Sequence, residues 1–242
     1  MISVALAYYN GGKYIEEQIG SILPQLDDGD ELIISIDGAW DGSMDILEYW
    51  AAKDSRIRLI TGPGKGVVRN FENALYACRG DVIFLSDQDD IWEKYKVKAV
   101  MKAMEQPDCL AVLHNAITID ENGKPDGGKD LFTWRISRTG IFKNIMRNSY
   151  VGCCMALKKE LLEIVLPIPE RIYMHDYWIG TAAEFCGRVI LIKKPLIRYR
   201  RHSGNVTDMH PGPLRFMVKK RFDILISLFI LERRRRLLWK KK

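Results

Sequence analysis

The sequence predicts an α/β fold on a mostly parallel central sheet, and three observations carry that prediction. Residues 82–85, Val-Ile-Phe-Leu, are apolar at every position, as suits a strand buried on both faces of a parallel sheet. Strand-like and helix-like patterns alternate through residues 1–105, the rhythm of βαβ units. Turn-forming loops at 8–12, 37–42 and 62–66 each follow a strand pattern. Right-handed crossovers would bring all three to one sheet edge.

Taken in order, residues 2–7 form a short strand, and Tyr8-Tyr9-Asn10-Gly11-Gly12 is a loop. A helix follows over 14–22, with Ile15, Ile19 and Ile22 on one face. Residues 31–36 are the second strand, ending at Asp37-Gly38. Ser43 is placed to cap a helix running to about residue 53. Residues 57–61 are the third strand, 62–66 a glycine-rich loop and 67–78 the third helix. The second half is less regular. Helices are expected at 94–104, 141–147, 159–165 and 176–186, and strands at 109–119, 152–157, 188–192 and 196–200. Residues 127–130 read as a mobile loop. One continuous domain is expected over 1–206, with 1–105 holding the ligand and 106–206 shaping an acceptor site. A basic amphipathic tail follows over 207–242.

The apolar strand 82–85 ends in Ser86-Asp87-Gln88-Asp89-Asp90-Ile91-Trp92, three carboxylates in four positions. Ligands of open α/β sheets bind at the carboxyl ends of the strands. Desolvated acids packed this closely repel one another unless a cation joins them. Mg²⁺ and similar hard ions take one or two carboxylates and complete their shell with phosphate and water. The residues alone therefore indicate a metal holding a phosphorylated ligand. A solvated acidic loop is the plainer alternative.

The chain has 242 residues with a net charge of +6, and the charge is uneven. The segment 193–242 carries 16 Lys and Arg against three acids, so residues 1–192 are net acidic. Nucleic acid is not an expected partner. The tail, 214–242, mixes an Ile/Leu/Phe run with Arg233-Arg234-Arg235-Arg236, Trp239 and 240–242, the composition of a helix lying on anionic lipid. Five cysteines without framework spacing suggest reduced thiols and a cytoplasmic setting, peripheral to the inner face of the cell membrane.

With Tyr8-Tyr9-Asn10, Asp37-Gly38-x-x-Asp41-Gly42-Ser43 and Ser86-Asp87-Gln88-Asp89-Asp90-Ile91-Trp92 in this order, residues 1–205 resemble family 2 glycosyltransferases. These are inverting enzymes of the GT-A fold that use nucleotide-sugars. Asp-Gln-Asp-Asp-Ile-Trp with Asn70-Phe71 upstream is similar to the rhamnosyltransferase-like subgroup. The resemblance implies a UDP- or dTDP-sugar donor, Mn²⁺ or Mg²⁺, and a glycan or lipid-linked acceptor in cell-surface polysaccharide synthesis. It assigns donor contacts to Tyr8 or Tyr9, Asn10, Asp37, Lys65, Arg69, Asn70 and Asp87. It assigns the metal to Asp87, Asp89 and His202, with Asp90 behind them or facing the sugar. His175-Asp176-Tyr177-Trp178 matches the motif of the catalytic base, which would be Asp176. Trp178 would stack on acceptor sugar, and Arg200 or Arg201 would neutralise diphosphate. The Gln-x-x-Arg-Trp motif of processive synthases is missing, which favours transfer of single sugars. Two other readings remain open: a sugar-phosphate nucleotidyltransferase, and a non-catalytic membrane-associated module that binds nucleotide-sugar.

Overall fold

The computed structural model describes residues 1–127, 130–135, 139–204 and 214–239, without the side chains of Trp134, Arg135, Leu214, Phe216, Leu238 and Trp239. Its first half follows the hydrophobic pattern closely. Strands β1 (Ile2–Tyr8), β2 (Glu31–Ile36), β3 (Ile57–Thr61) and β4 (Val82–Ser86) pair in parallel in the order β3-β2-β1-β4. Register aligns Tyr8 with Ile36, Ile36 with Thr61, and Leu6 with Ser86. The carboxyl ends of all four strands therefore share one edge, as the loop spacing predicted. Val4, Leu6, Ile33, Ile34, Phe84 and Leu85 are wholly buried, because helices cover both faces of a parallel sheet.

Helix α1 (Ile15–Ile22) buries Ile15, Ile19 and Ile22, the stripe read from its spacing. Helix α2 (Met44–Lys53) starts after Ser43, but Ser43 does not cap it. Its hydroxyl instead donates to Asp41 and accepts from Tyr8, so the Tyr8 hydroxyl takes the acceptor oxygen that a cap would offer the helix N–H groups. Helix α3 (Val67–Ala77) buries Phe71, Ala74 and Leu75.

The sheet continues as β4-β7-β6-β8-β5. Strand β5 (Ile91–Trp92), β6 (Cys109–Ile119), β7 (Met155–Lys158) and β8 (Arg188–Arg200) mix directions: β7 is antiparallel to β4 and β6, β8 is parallel to β6, and β5 is antiparallel to β8. Two expected strands, 188–192 and 196–200, are one. Irregular register around Asn115 absorbs the intervening residues and sets Asn115 opposite Pro195, while Asn115 Nδ2 donates to the Lys193 carbonyl. A bulge is where a sheet tolerates a proline. The expected strand at 152–157 begins instead with a 3₁₀ turn, Gly152–Cys154. Between these strands lie α4 (Lys96–Met104), α5 (Leu131–Arg135), α6 (Ile141–Met146), α7 (Leu162–Val165) and α8 (His175–Cys186). Helix α5 follows the loop 127–130, of which 128 and 129 lie outside the described residues.

Helix α9 (Leu214–Trp239) is docked on the domain rather than projecting from it. Ile224, Ser227 and Leu231 are buried. Arg234 donates to the carbonyls of Ile164, Val165 and Pro167, and Arg221 to that of Met146. Residues 205–213 and 240–242, and the Trp239 side chain, lie outside the described residues. No described helix is long and apolar enough to cross a membrane.

Candidate active site

The acid loop after β4 sits at the shared carboxyl edge and is pinned from two sides. Gln88 faces the β1 loop, its Oε1 accepting from Tyr9 N at 2.6 Å and its Nε2 donating to Tyr9 O at 2.9 Å. The chain passes so close here that a Cβ on Gly11 would lie 2.4 Å from the Gln88 side chain. On the other side Arg200 Nε donates to Asp89 O at 2.8 Å, and Arg200 N donates to Asp90 Oδ1 at 3.0 Å. Arg200 also bonds Glu121 O and Glu17 Oε2 and lies over the Tyr14 ring. It is only 2% exposed.

The carboxylates converge. Asp89 Oδ2 lies 2.8 Å from His202 Nε2, and the His202 ring packs against Tyr14 at 5.0 Å between centroids. Burial, and then repulsion from Asp89 and Asp176, push Asp87 up to about 7. Burial, and then repulsion from Asp89 and Asp87, drive Asp90 well above the usual carboxylate range. Asp87, Asp90 and Cys153 bring ligand atoms within 4.8 Å of one another. Burial raises the Cys153 thiol too, and its nearness offsets part of the rise of both acids. Lys96 lies behind them, wholly buried, its Nζ 2.9 Å from Cys153 O and over the Trp92 ring. Burial lowers it to about 8. A clustered set of repelling oxygens with one imidazole suits a hard divalent cation. Among the described residues the set with metal-ligand spacing is Asp87, Asp90 and Cys153, while Asp89 and His202 bond each other.

Asp176 lies in the first turn of α8, 6% exposed, and its Oδ1 accepts from Tyr177 N at 2.6 Å. The helix N-terminus favours a carboxylate there. His175 beside it stacks on Phe71 at 3.8 Å and is lowered to about 3 by burial.

The residues expected around the donor separate into rim and support. Asp37 ties down the glycine loop, Oδ1 accepting from Gly64 N at 2.6 Å and Oδ2 from Gly66 N at 3.0 Å. Both glycines have positive φ, which turns their N–H groups toward it. Lys65 between them is exposed. Asn10 has a φ of 46° and accepts from Trp40 N. Tyr8 is fully buried, so Tyr9 is the loop tyrosine at the surface, edge-on to the exposed Trp40 at 5.7 Å. Asn70 is buried and donates to Tyr8 O and Ser35 O, bracing β1 against β2. Arg69 is occupied by Glu72 and Ile168 O. Asp41 shapes the turn, accepting from Gly12 N and Ser43 N.

Two expectations need correction. Trp178 is wholly buried with Nε1 on Val165 O, so its ring has no free face for a sugar. Arg200 spends its guanidinium on the acid loop, so it supports that loop rather than meeting diphosphate. Arg201 is half-buried beside Tyr199. Sequence reasoning missed Gln88, Lys96, Cys153 and Glu17. Gln88 stood inside the acid motif; the others carried no local signal, since only the fold brings them there.

The model of the family described as "Glycosyl transferase family 2" matches residues 3–165. A dTDP-rhamnosyl transferase, RfbG of Shigella flexneri, is 32% identical over 83% of this chain and 72% of its own. A solved S. aureus TarS structure in complex with UDP-GlcNAc superposes with a TM-score of 0.67 at 17% identity, covering 93% of this chain and 65% of that one. The mannosyltransferase PcManGT from Pyrobaculum calidifontis, solved with GDP-Man and Mn²⁺, gives 0.65 at 18% identity over 99% and 74%. These superpositions show the GT-A fold. The chain spans about two thirds of the length of the curated relatives it matches. By the family match across most of its sheet and the likeness to RfbG, this chain belongs to glycosyltransferase family 2.

Proposed function

We propose that this chain transfers one sugar from a nucleotide-diphosphate donor, a UDP- or dTDP-sugar, to a glycan or lipid-linked acceptor, with inversion. The product would serve cell-surface polysaccharide synthesis, with transfer at the cytoplasmic side. One observation carries the reading: Asp176, distant in sequence from the acid loop, lies close enough for Asp87 to feel its charge as well as that of Asp89.

Inversion requires the acceptor hydroxyl to attack from the face opposite the leaving diphosphate. Asp176 is the carboxylate set apart from the acid loop that takes the hydroxyl proton. Its backbone position at the start of α8 and its bond from Tyr177 N hold it in place. Asp89 and His202, with Asp87 nearby, would hold Mn²⁺ or Mg²⁺. When bound, that ion supplies stabilisation of the charge growing on the departing nucleoside diphosphate. Tyr9, Asn10, Asp37 and Lys65 line the donor rim, with Asn70 and Arg69 bracing it from behind.

The test is nucleoside diphosphate release during transfer, screened over UDP-, dTDP- and GDP-sugars with Mn²⁺ or Mg²⁺. Asp176→Asn should leave donor affinity near wild type and abolish transfer. Transfer retained in that variant removes Asp176 as base. Pyrophosphate release from a nucleoside triphosphate would instead identify a nucleotidyltransferase.

A further inference from the structure

Helix α9 has two faces of opposite kind. One is clamped to the domain through Ile224, Ser227, Leu231 and Arg234. The other, half a turn away, presents Arg215, Val218, Lys219, Phe222, Leu225, Phe229, Arg233 and Arg236 to solvent. These positions recur every three or four residues, so they form one stripe along the helix. Phe222 and Phe229 are 62% and 78% exposed. Among its described side chains no exposed residue of α9 is acidic. The two acids, Asp223 and Glu232, are partly buried, and Glu232 is paired with Arg235 and Arg236. Helix α6, joined to α9 by the Arg221 bond to Met146 O, exposes Phe142 and Met146 as well.

We infer that this outward stripe of α9, together with α6, is a docking surface for an anionic bilayer. Its apolar middle suits the headgroup and acyl boundary, and cations at both ends suit anionic headgroups. That charge distribution favours lipid over a neutral protein face. The clamped face means that α9 stays folded on the domain when it docks, so the surface fixes the orientation of the whole molecule.

The orientation matters because α9 borders the site. Lys220, next to Lys219 of the stripe, lies 3.3 Å over the Tyr173 ring, and the Asp176 charge acts on it. The consequence for catalysis rests on the sugar-transfer reading: the bilayer lies beside the base, so the acceptor is one whose hydroxyl sits near the headgroups, a lipid-linked glycan.

The experiment is flotation of the full chain, without donor, on vesicles of phosphatidylcholine with and without phosphatidylglycerol. The wild type should float only with phosphatidylglycerol. F222S/F229S should lower vesicle partitioning more than about tenfold, and R233Q/R236Q should lower it and flatten its salt dependence. Both variants should keep the wild-type melting temperature and circular dichroism, since these side chains are exposed. No flotation of the wild type, or equal flotation of the folded variants, overturns the proposal. So does a wild-type dimer in light scattering that F222S/F229S dissolves, because a second copy would then own the face. Donor binding is measured separately, so failed flotation and failed sugar transfer are told apart.

Discussion

Arg200→Met isolates what holds the acid loop in place. Methionine keeps much of the stem and removes all five guanidinium N–H donors. Asp89 O loses a charged donor from a buried bond and Glu121 O one from a part-buried bond, Arg200 itself being 2% exposed. Leaving a buried acceptor without its donor costs about 1–3 kcal/mol each. Glu17 is 55% exposed and rehydrates, so its half of the pair adds roughly 0–1 kcal/mol. The sum is about 2–7 kcal/mol, and a chain of this size should melt on the order of 10 °C lower. Because Asp89 then loses its anchor, Mn²⁺ affinity should fall about tenfold or more. Differential scanning fluorimetry and metal titration calorimetry read the two effects together. If Arg200 instead touches diphosphate, donor affinity falls while the melting temperature stays put. That result would refute the supporting role.

Two further outcomes follow from the same geometry. Trp178→Phe removes the donor to Val165 O and leaves a gap in the core. It should cost about 2–4 kcal/mol and leave the acceptor KM unchanged; a raised KM at unchanged stability would return Trp178 to the acceptor site. The folded value of Asp87, about 7, lies above the ordinary unfolded value near 3.9. The folded state therefore binds the extra proton, and the stability this gives is present below about pH 4 and lost as pH rises through about 7. Metal-free protein should lose melting temperature across that window. Mn²⁺ should shrink the loss and, at pH 6, displace protons seen as a buffer-dependent binding enthalpy. An unchanged slope in Asp87→Asn would remove Asp87 as its source.

The first half of the fold was legible because its strands are buried on both faces and its loops carry glycine. Ile15, Ile19 and Ile22 announce one helix face, and the switch from Phe84-Leu85 to Asp87 announces a strand end at a site. The second half was less legible because its strands mix directions and lean on bulges. Asn115 opposite Pro195 joins two strands that the sequence reading separates at the proline. Site chemistry was legible where a motif is local, as at Asp87–Asp90 or Asp176. It was not legible where partners come from afar. Arg200 and Trp178 have the composition of ligand-binding residues, and only burial reveals that their polar groups are already used. The tail's composition indicated apolar and basic character, but which residues face the domain and which face outward depends on where α9 docks.

The central claim is that Asp89 and His202 hold a divalent ion against the donor diphosphate. The direct measurement is anomalous scattering from manganese in crystals grown with a nucleotide-diphosphate sugar. The account predicts one peak between Asp89 and His202 with diphosphate oxygens on it. A peak among Asp87, Asp90 and Cys153, or a diphosphate lodged away from Asp89, would contradict it.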